Sequence, residues 1–234
     1  MSILTHMMKT AKDDNRGANC KMWMPFNEGS GTSFGDLAGG ISSQVDGSAA
    51  HTIANTVTMG VANTTETQMP TIGEKVWVLV YMEQVVQSVS FCTMSMGTGS
   101  ASDQKISVTE SFAAVDEGAT IYQTTASSSA SVGNDVFVAA TSDLSTLTHY
   151  RGINGGTVAA VNTVDITASG NNIVFDDSSS VLIGSTAFRQ HVYGVALFAF
   201  SDGLPSDLVE GLQWMQDQWL QGHKTIYPGW KNLA

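Results

Sequence analysis

The stretch VYGVALFAFSDGLPSDLVEGLQWMQDQWLQG, from Val192 to Gly222, places a strand pattern directly before a helix pattern. Residues 192–200 are apolar at nearly every position, which is typical of a strand that is covered on both faces. Four apolar residues then recur at the period of an amphipathic helix: Leu208, Leu212, Met215 and Trp219. The stretch therefore predicts a helix over residues 206–221 that packs on the strand before it.

Both ends of this helix carry residues that commonly begin or end helices. Ser206 is the predicted N-cap, because its hydroxyl can accept a hydrogen bond from a free backbone N–H of the first turn. Asp207 and Glu210 lie in the first turn, where the helix dipole favours anions. Gly222 is placed to end the helix after about four turns.

The rest of the chain reads as short strands separated by turns. KVWVLVYM is apolar at nearly every position, like the strand before the helix, whereas KISVTESF and ATIYQTT alternate and predict strands with one wet face. Clusters rich in Gly, Ser, Asn and Asp separate these runs at roughly 8–12-residue spacing, which is typical of antiparallel sandwiches. The predicted fold class is all-β, a two-sheet antiparallel jelly-roll sandwich with a closing helix near the end.

Composition narrows the classes of function. The chain has 234 residues with 42% hydrophobic content, which suits one large domain. Its 21 acidic and 10 basic side chains give a net charge of −11, which disfavours nucleic acid as a partner. Apolar runs fall short of the roughly 20 residues of a membrane helix, and residues 1–20 lack the apolar core of a secretory signal. We therefore expect no membrane partner and folding in a cytoplasm.

The two cysteines, Cys20 and Cys92, are too few for a disulfide framework and lack the paired spacing of a zinc site. They are interpreted as buried or idle thiols, with a bridge between them left open.

Three segments are predicted. Residues 1–19 are polar and without a period, and form an arm that is flexible or ordered by a partner. Residues 20–222 form the sandwich and include the closing helix. Residues 223–234 form a docking tail.

Several motifs resemble one fold family. WMPFNEGSGTSFGDLAGG near the start, DVFVAATSDLSTLTHYRGINGG and SVLIGS in the middle, and SDGLPSDLVEGLQWM near the end occur in the expected order. Together they resemble the concanavalin A-like lectin/glucanase (laminin-G-like) jelly-roll superfamily. The ending GHKTIYPGW is outside the general pattern and resembles versions of the fold in tailed-bacteriophage structural proteins.

Glucanases of this superfamily carry paired carboxylates at alternate positions of one strand, where both acids reach the same substrate. Asp116 and Glu117 are adjacent and point to opposite faces, and Glu28 has no partner two or four residues away. The five histidines have no metal-binding spacing. No enzymatic activity is therefore predicted.

Two sets of residues are candidate sites. Relatives in this superfamily sometimes bind calcium at a sheet rim, and Asp36, Asp176 and Asp177 lie in loops where carboxylate oxygens could converge on such an ion. Their alternative role is as turn residues. Trp214, Tyr227 and Trp230 are the candidate contacts for a ligand or partner, with stapling of the tail to the sheet or to a neighbouring subunit as the alternative.

The resemblance implies two hypotheses of function. The first is a non-enzymatic virion protein of a tailed phage, made in the host cytoplasm, that decorates the capsid or forms part of a head or tail fibre. Its partners would be the major capsid protein or other virion proteins and further copies of itself, for which a trimer would be suitable. The alternative is a lectin-like module that binds host glycans.

Overall fold

The computed structural model describes residues 19–24, 44–46, 50–53, 56–59, 64–68, 74, 76–85, 94–97, 104–117, 120–169, 180–183, 190–223 and 225–230. In this part of the chain the strands, named in chain order, are β1 (Cys20–Met24), β2 (Gln44–Asp46), β3 (Ala50–Ile53), β4 (Thr56–Met59), β5 (Thr64–Gln68), β6 (Val76–Val85), β7 (Met94–Gly97), β8 (Gln104–Val108), β9 (Ala113–Glu117), β10 (Ile121–Gln123), β11 (Asp135–Ser142), β12 (Thr146–Ile153), β13 (Ala159–Asp165), β14 (Ser180–Ile183) and β15 (Gln190–Phe200). The α-helix α1 spans Leu208–Leu220, and short 3-10 turns span Thr167–Ser169 and Pro228–Trp230.

These strands form two antiparallel sheets. The first sheet has the order β13-β12-β11-β6-β15-β4-β3, with β1 also paired to β15, and the second has the order β10-β9-β8-β7-β14-β5-β2. At the centre of each sheet the neighbouring strands are distant in sequence, β6 beside β15 and β7 beside β14, as in a jelly roll, where the chain crosses between sheets. The predicted fold class, an all-β two-sheet antiparallel jelly roll with a C-terminal helix, is confirmed.

The centre of the first sheet is buried on both of its faces. Alternate residues of β6 point in opposite directions, so that Trp77, Leu79 and Tyr81 face the second sheet while Val78 and Val80 face α1. The same alternation holds along β15. This confirms that the two continuously apolar strands are covered on both faces, one face by the second sheet and the other by the helix.

The helix packs through the stripe that its sequence predicts. Leu212, Met215 and Trp219 are fully buried against the first sheet, and burial of each such side chain contributes about 1.5–3 kcal/mol to stability. The indole of Trp219 lies against Trp23 of β1, with ring centroids 5.0 Å apart, and against the edge of Phe137 of β11 at 5.8 Å. The helix is therefore an integral third layer of the domain.

The two ends of α1 differ in how well the sequence predicted them. The N-cap is Asp207 and not Ser206, and it makes no side-chain capping bond because its carboxylate accepts the indole N–H of Trp230 at 3.1 Å. At the other end, Gly222 has a φ of +80°, and the N–H groups of Gly222 and His223 bond the carbonyls of Trp219 and Gln218. This is the Schellman arrangement, and it confirms Gly222 as the residue that ends the helix.

The described part of the C-terminal tail, residues 225–230, folds back onto its own domain. Ile226 and Trp230 are buried in the layer between the helix and the first sheet. The side-chain amide of Asn19 donates to the carbonyl of Trp230 at 3.1 Å, which ties the tail to the beginning of β1. The sandwich therefore extends past the predicted boundary at residue 222, and the docking role of the tail stays a prediction.

Cys20 is buried on the helix side of β1 and forms no disulfide within the described residues. Cys92 lies outside the described residues, so the alternative of a bridge between the two is open.

Candidate functional site

An aromatic cluster beside α1 contains all three predicted contact residues. The ring of Tyr227 lies 5.7 Å from that of Trp214 and 5.7 Å from that of Trp230, in edge-to-face geometry. Trp230 in turn packs edge-on against Phe198 and Phe200 of β15, at 5.2 and 6.2 Å. The three residues are thus brought together by the fold although they come from the helix and from the tail.

Trp230 is fully buried, so it cannot present its ring to a ligand in this conformation. This corrects its inclusion among the contact residues. Its contacts with β15, Asp207 and Asn19 show that it staples the tail to the sheet, which was the alternative interpretation. Trp214 and Tyr227 are partly exposed, as the position of Trp214 off the apolar stripe suggests.

Gly211 makes this close packing possible. A Cβ atom at this position would lie 2.5 Å from Cζ2 of Trp230 and 2.8 Å from Cδ1 of Tyr227. Both atoms belong to rigid rings, so a side chain here can be accommodated only if the tail moves. A glycine inside a helix costs about 1 kcal/mol relative to alanine, and here that cost allows the tail to dock.

Replacing Gly211 with alanine is therefore expected to lower the free energy of unfolding by about 1–3 kcal/mol, because the steric cost outweighs the gain in helix propensity. Urea denaturation followed by circular dichroism measures the change. Val209→Ala, at an exposed position of the same helix, is the control and should change stability by less than about 0.5 kcal/mol. Equal stability of Gly211→Ala and the wild type would contradict the proposed packing.

A surface pocket lies next to Asp207, whose side chain is hydrogen-bonded to this cluster. It has a volume of about 280 Å³ and is lined by Phe200 and residues 202–207. Asp207 connects the pocket to the cluster, because its carboxylate accepts the hydroxyl of Tyr227 as well as the indole N–H of Trp230. Partial burial and the nearby Asp207 carboxylate raise the pKa of Tyr227, so its hydroxyl keeps its proton at neutral pH.

We call Trp214, Tyr227, Asp207 and this pocket the helix-side site. It combines two partly exposed aromatic rings with the carboxylates of Asp202 and Asp207 and the hydroxyl of Ser206. Aromatic rings pack against apolar C–H faces, and carboxylates accept hydrogen bonds from hydroxyl groups. The volume lies near the lower end of the roughly 300–1,000 Å³ of ligand pockets. The site is thus suited to a small polar ligand with an apolar face.

A pair of buried carboxyl groups lies elsewhere in the fold. Glu83 is on the face of β6 that points to the second sheet, and Glu110 is in the turn between β8 and β9 of that sheet. Neither has any exposed surface. Burial, and then repulsion from Glu110, raise the pKa of Glu83 to about 8, and burial raises the pKa of Glu110 as well.

Two basic residues of β12 accompany this pair. Nη1 of Arg151 donates to the backbone carbonyls of Glu110, at 3.3 Å, and of Ser128, at 2.7 Å. Nε2 of His149 lies 3.1 Å from the carbonyl oxygen of Thr109, which suits a neutral ring with its proton on Nε2. Burial lowers the pKa of His149 to about 4, so the ring is neutral near pH 7.

The buried pair resembles the acids of a glycosidase only in composition. A glycosidic bond would have to reach both carboxyl groups, and in this conformation each is closed off between the two sheets. Sequence reasoning missed the pair because its members come from different sheets. The one local signal was that Glu83 directly follows the apolar run VWVLVYM of a strand predicted to be buried.

The calcium prediction falls on Asp36, Asp176 and Asp177, which lie outside the described residues. Among the residues that are described, no group of three or more His, Cys, Asp or Glu is arranged to hold a metal ion. Calcium binding at the predicted aspartates stays a prediction. In the same described part of the chain, α1 is too short and too polar to cross a membrane.

Comparisons with known proteins place the fold. No family model matches the sequence, and no curated protein matches it. The structure is similar to that of HCR/D-Sa-GBL1/C, with a TM-score of 0.59, 11% identity, and coverage of 86% of this chain and 52% of the other. It is also similar to domain 4 of AbnA, a GH43 extracellular arabinanase from Geobacillus stearothermophilus, in complex with arabinotriose, with a TM-score of 0.55 and 12% identity.

The chain spans about half the length of the first of these proteins. In the second match, 84% of this chain aligns with 99% of domain 4 of AbnA. Peanut lectin matches over 73% of this chain, at 9% identity and a TM-score of 0.45. At such low identities the likeness concerns the fold alone. The chain has a two-sheet antiparallel jelly-roll fold, and its resemblance to phage structural proteins stays a prediction.

Proposed function

We propose that this protein is a non-catalytic carbohydrate-binding module and that it binds sugar at the helix-side site. The observation that carries the proposal is the partly exposed pair of Trp214 and Tyr227 together with a pocket lined by two carboxylates, one of which, that of Asp207, accepts the hydroxyl of Tyr227. A sugar ring has one apolar C–H face and a rim of hydroxyl groups, which matches the aromatic rings and the carboxylates of this site.

The charge of the site favours a class of sugar. Asp202 and Asp207 line the pocket, Glu210 of α1 interacts electrostatically with Tyr227, and the whole chain carries a net charge of −11. Uronic or sialic acids would be repelled by these carboxylates. We infer that the ligand is a neutral sugar, and arabino-oligosaccharides are suitable first probes because domain 4 of AbnA is in complex with arabinotriose.

A module of this kind would mediate adhesion to glycans for any particle or protein that carries it. Presentation on a virion surface, as the sequence ending suggests, is compatible with it and is proposed on the sequence resemblance alone. The described structure offers no support specific to a capsid partner or to a trimer, and these stay sequence-based predictions.

Binding is tested with the full chain on an array of neutral and acidic glycans. We expect retention on at least one neutral glycan and none on uronic-acid polymers. Trp214→Ala and Tyr227→Ala should each weaken the binding about tenfold or more, since each removes an aromatic contact worth on the order of 1.5 kcal/mol. Ile121→Ala is the matched control, because Ile121 is equally an exposed apolar residue but lies on β10 of the second sheet.

The outcomes separate the function from the site. An array without any hit would overturn carbohydrate binding. A hit whose affinity is unchanged by both aromatic substitutions would retain carbohydrate binding but overturn the helix-side site.

A further inference from the structure

A Ser-rich segment covers the buried carboxyl pair. Residues 125–134 connect β10 of the second sheet to β11 of the first, and most of their side chains are exposed. Their backbone is nevertheless fixed at several points to the elements around Glu83 and Glu110. We call this segment the strap.

The strap is tied to both sheets by short hydrogen bonds. On the second sheet, the backbone N–H of Ser127 donates to the carbonyl of Ser111 at 2.9 Å, and its hydroxyl donates to the same atom at 3.2 Å. On the first sheet, Val85 and the end of the strap exchange two backbone bonds, from Gly133 N–H to Val85 at 2.7 Å and from Val85 N–H to Asn134 at 2.9 Å. Glu83 is two residues before this anchor.

The carboxylate of Glu110 holds the middle of the strap. One oxygen, Oε2, accepts the backbone N–H of Ala130 at 2.9 Å, and the side chain of Ser129 also bonds this group. Arg151 adds a bond from its guanidinium to the carbonyl of Ser128. Closure of the strap therefore depends on where Glu110 lies and on the charge it carries.

Glu83 faces Glu110 without any compensating contact. Both of its carboxyl oxygens are buried and have no hydrogen-bond partner among the described residues, and Oε1 of Glu110 is also buried without one. The residues that lie directly opposite Glu83 on the two neighbouring strands are Val136 of β11 and Val192 of β15, and neither carries a charge. A buried ionised carboxylate in such a place is strongly unfavourable.

The charges around the two carboxyl groups do not balance unless one of these groups is protonated. Among the described residues, the acidic and basic groups in this region are Glu83, Glu110, Arg151 and His149. Tyr81, on the same face of β6 as Glu83, adds a phenol that carries no charge near pH 7. With both acids ionised and the imidazole neutral, these groups carry one uncompensated negative charge. A single proton on Glu83 removes this charge, and a divalent cation would leave a net positive charge in its place.

We propose that residues 125–134 are a proton-controlled strap, which stays closed over the end of the inter-sheet core while Glu83 is protonated and opens when Glu83 ionises. Opening lets water reach the two carboxylates, and it exposes an end of the core that is closed in the protonated protein.

The direction of the pH dependence follows from burial. The pKa of Glu83 is about 8 when the strap is closed, and in contact with water it would return toward the ordinary 4.5. The ratio of the open to the closed form therefore rises as pH increases from about 4.5 to about 8, and it is constant at higher pH. His149 acts in the opposite sense below its ordinary pKa of 6.5, because it accepts a proton only when it is exposed. The effect of Glu83 on strap opening is therefore clearest between pH 6.5 and 8.

Hydrogen–deuterium exchange of the full chain, read by mass spectrometry and corrected for the intrinsic pH dependence of exchange, tests the proposal. We expect the opening constant of the strap to rise by up to about tenfold per pH unit between pH 6.5 and 8. The strap should also exchange at least about tenfold faster than β11 and β15 at every pH, since its opening is local.

Two variants separate the proton of Glu83 from other causes. Glu83→Gln keeps the shape but cannot ionise, so the strap should exchange with an opening constant that no longer rises with pH. Glu110→Gln removes the repulsion, so the rise should level off at a lower pH than in the wild type. The proposal is overturned if the wild-type strap shows no rise, if Glu83→Gln keeps the same rise, or if the strap exchanges only as fast as β11 and β15.

Discussion

Replacing Trp219 with alanine is expected to lower the free energy of unfolding by about 3–5 kcal/mol. Its indole is fully buried between α1 and the first sheet, in contact with the rings of Trp23 and Phe137. Its N–H also donates to the carbonyl of Thr225 at 2.7 Å, which fixes the chain where it leaves the helix. The substitution thus leaves a large cavity and releases the tail at the same time.

Urea denaturation followed by circular dichroism measures this loss. Trp214→Ala is the matched control, because it removes the same side chain from the same helix at a partly exposed position, and we expect it to cost about 1 kcal/mol. Equal losses for the two variants would show that the helix is not a structural layer of the domain.

The second large effect is a loss of global stability as pH rises, with Glu83 as its cause. A group whose pKa is raised in the folded state stabilises that state at low pH, and this contribution is lost as pH rises from its unfolded value of 4.5 to its folded value of about 8. The lowered pKa of His149 contributes the opposite slope between about 4 and 6.5. The two slopes cancel below pH 6.5, and the contribution of Glu83 dominates above it.

We therefore expect the free energy of unfolding to be nearly constant from pH 5 to 6.5 and to fall by roughly 1 kcal/mol per pH unit from 6.5 to 8. In Glu83→Gln this fall should be absent, even if the buried amide lowers stability by a constant amount at all pH values. Glu210→Gln, at an exposed position on α1, serves as the charge-matched control and should keep the wild-type slope. The same slope in Glu83→Gln as in the wild type would show that Glu83 does not hold the proton.

The features that sequence predicted well are those that depend on local patterns. The 3.6-residue period fixes α1 to within two residues at either end, and the continuous apolar runs identify β6 and β15 as covered on both faces. Gly222 ends the helix as predicted, because a residue with positive φ needs no long-range contact to favour glycine.

The features that sequence missed depend on residues brought together from far apart. Asp207 rather than Ser206 is the N-cap, and its side chain bonds the tail because Trp230 folds back over the helix. Burial of Trp230 likewise depends on β15 and on Asn19, at the other end of the chain. No local sequence pattern around Trp230 shows whether the residue is buried and anchors the tail to the sheet or is exposed and contacts a ligand.

The candidate site was predicted in part. Trp214 and Tyr227 are partly exposed and adjacent, as residues of a binding surface need to be, whereas the sequence did not predict the pocket lined by Phe200 and residues 202–207 or the role of Asp207. Such a pocket arises from the angle at which the chain leaves β15 and enters α1. That angle is set by packing of the helix on the sheet and is not encoded in the spacing of residues.

Isothermal titration calorimetry tests whether the helix-side site binds a neutral sugar. The titrant is arabinotriose or the glycan that the array retains. It is titrated into four proteins: the wild type, Trp214→Ala, Tyr227→Ala and Ile121→Ala. We expect saturable binding in the wild type and in Ile121→Ala, with affinity about tenfold or more weaker in both aromatic variants. Equal affinity in all four proteins would contradict binding at this site.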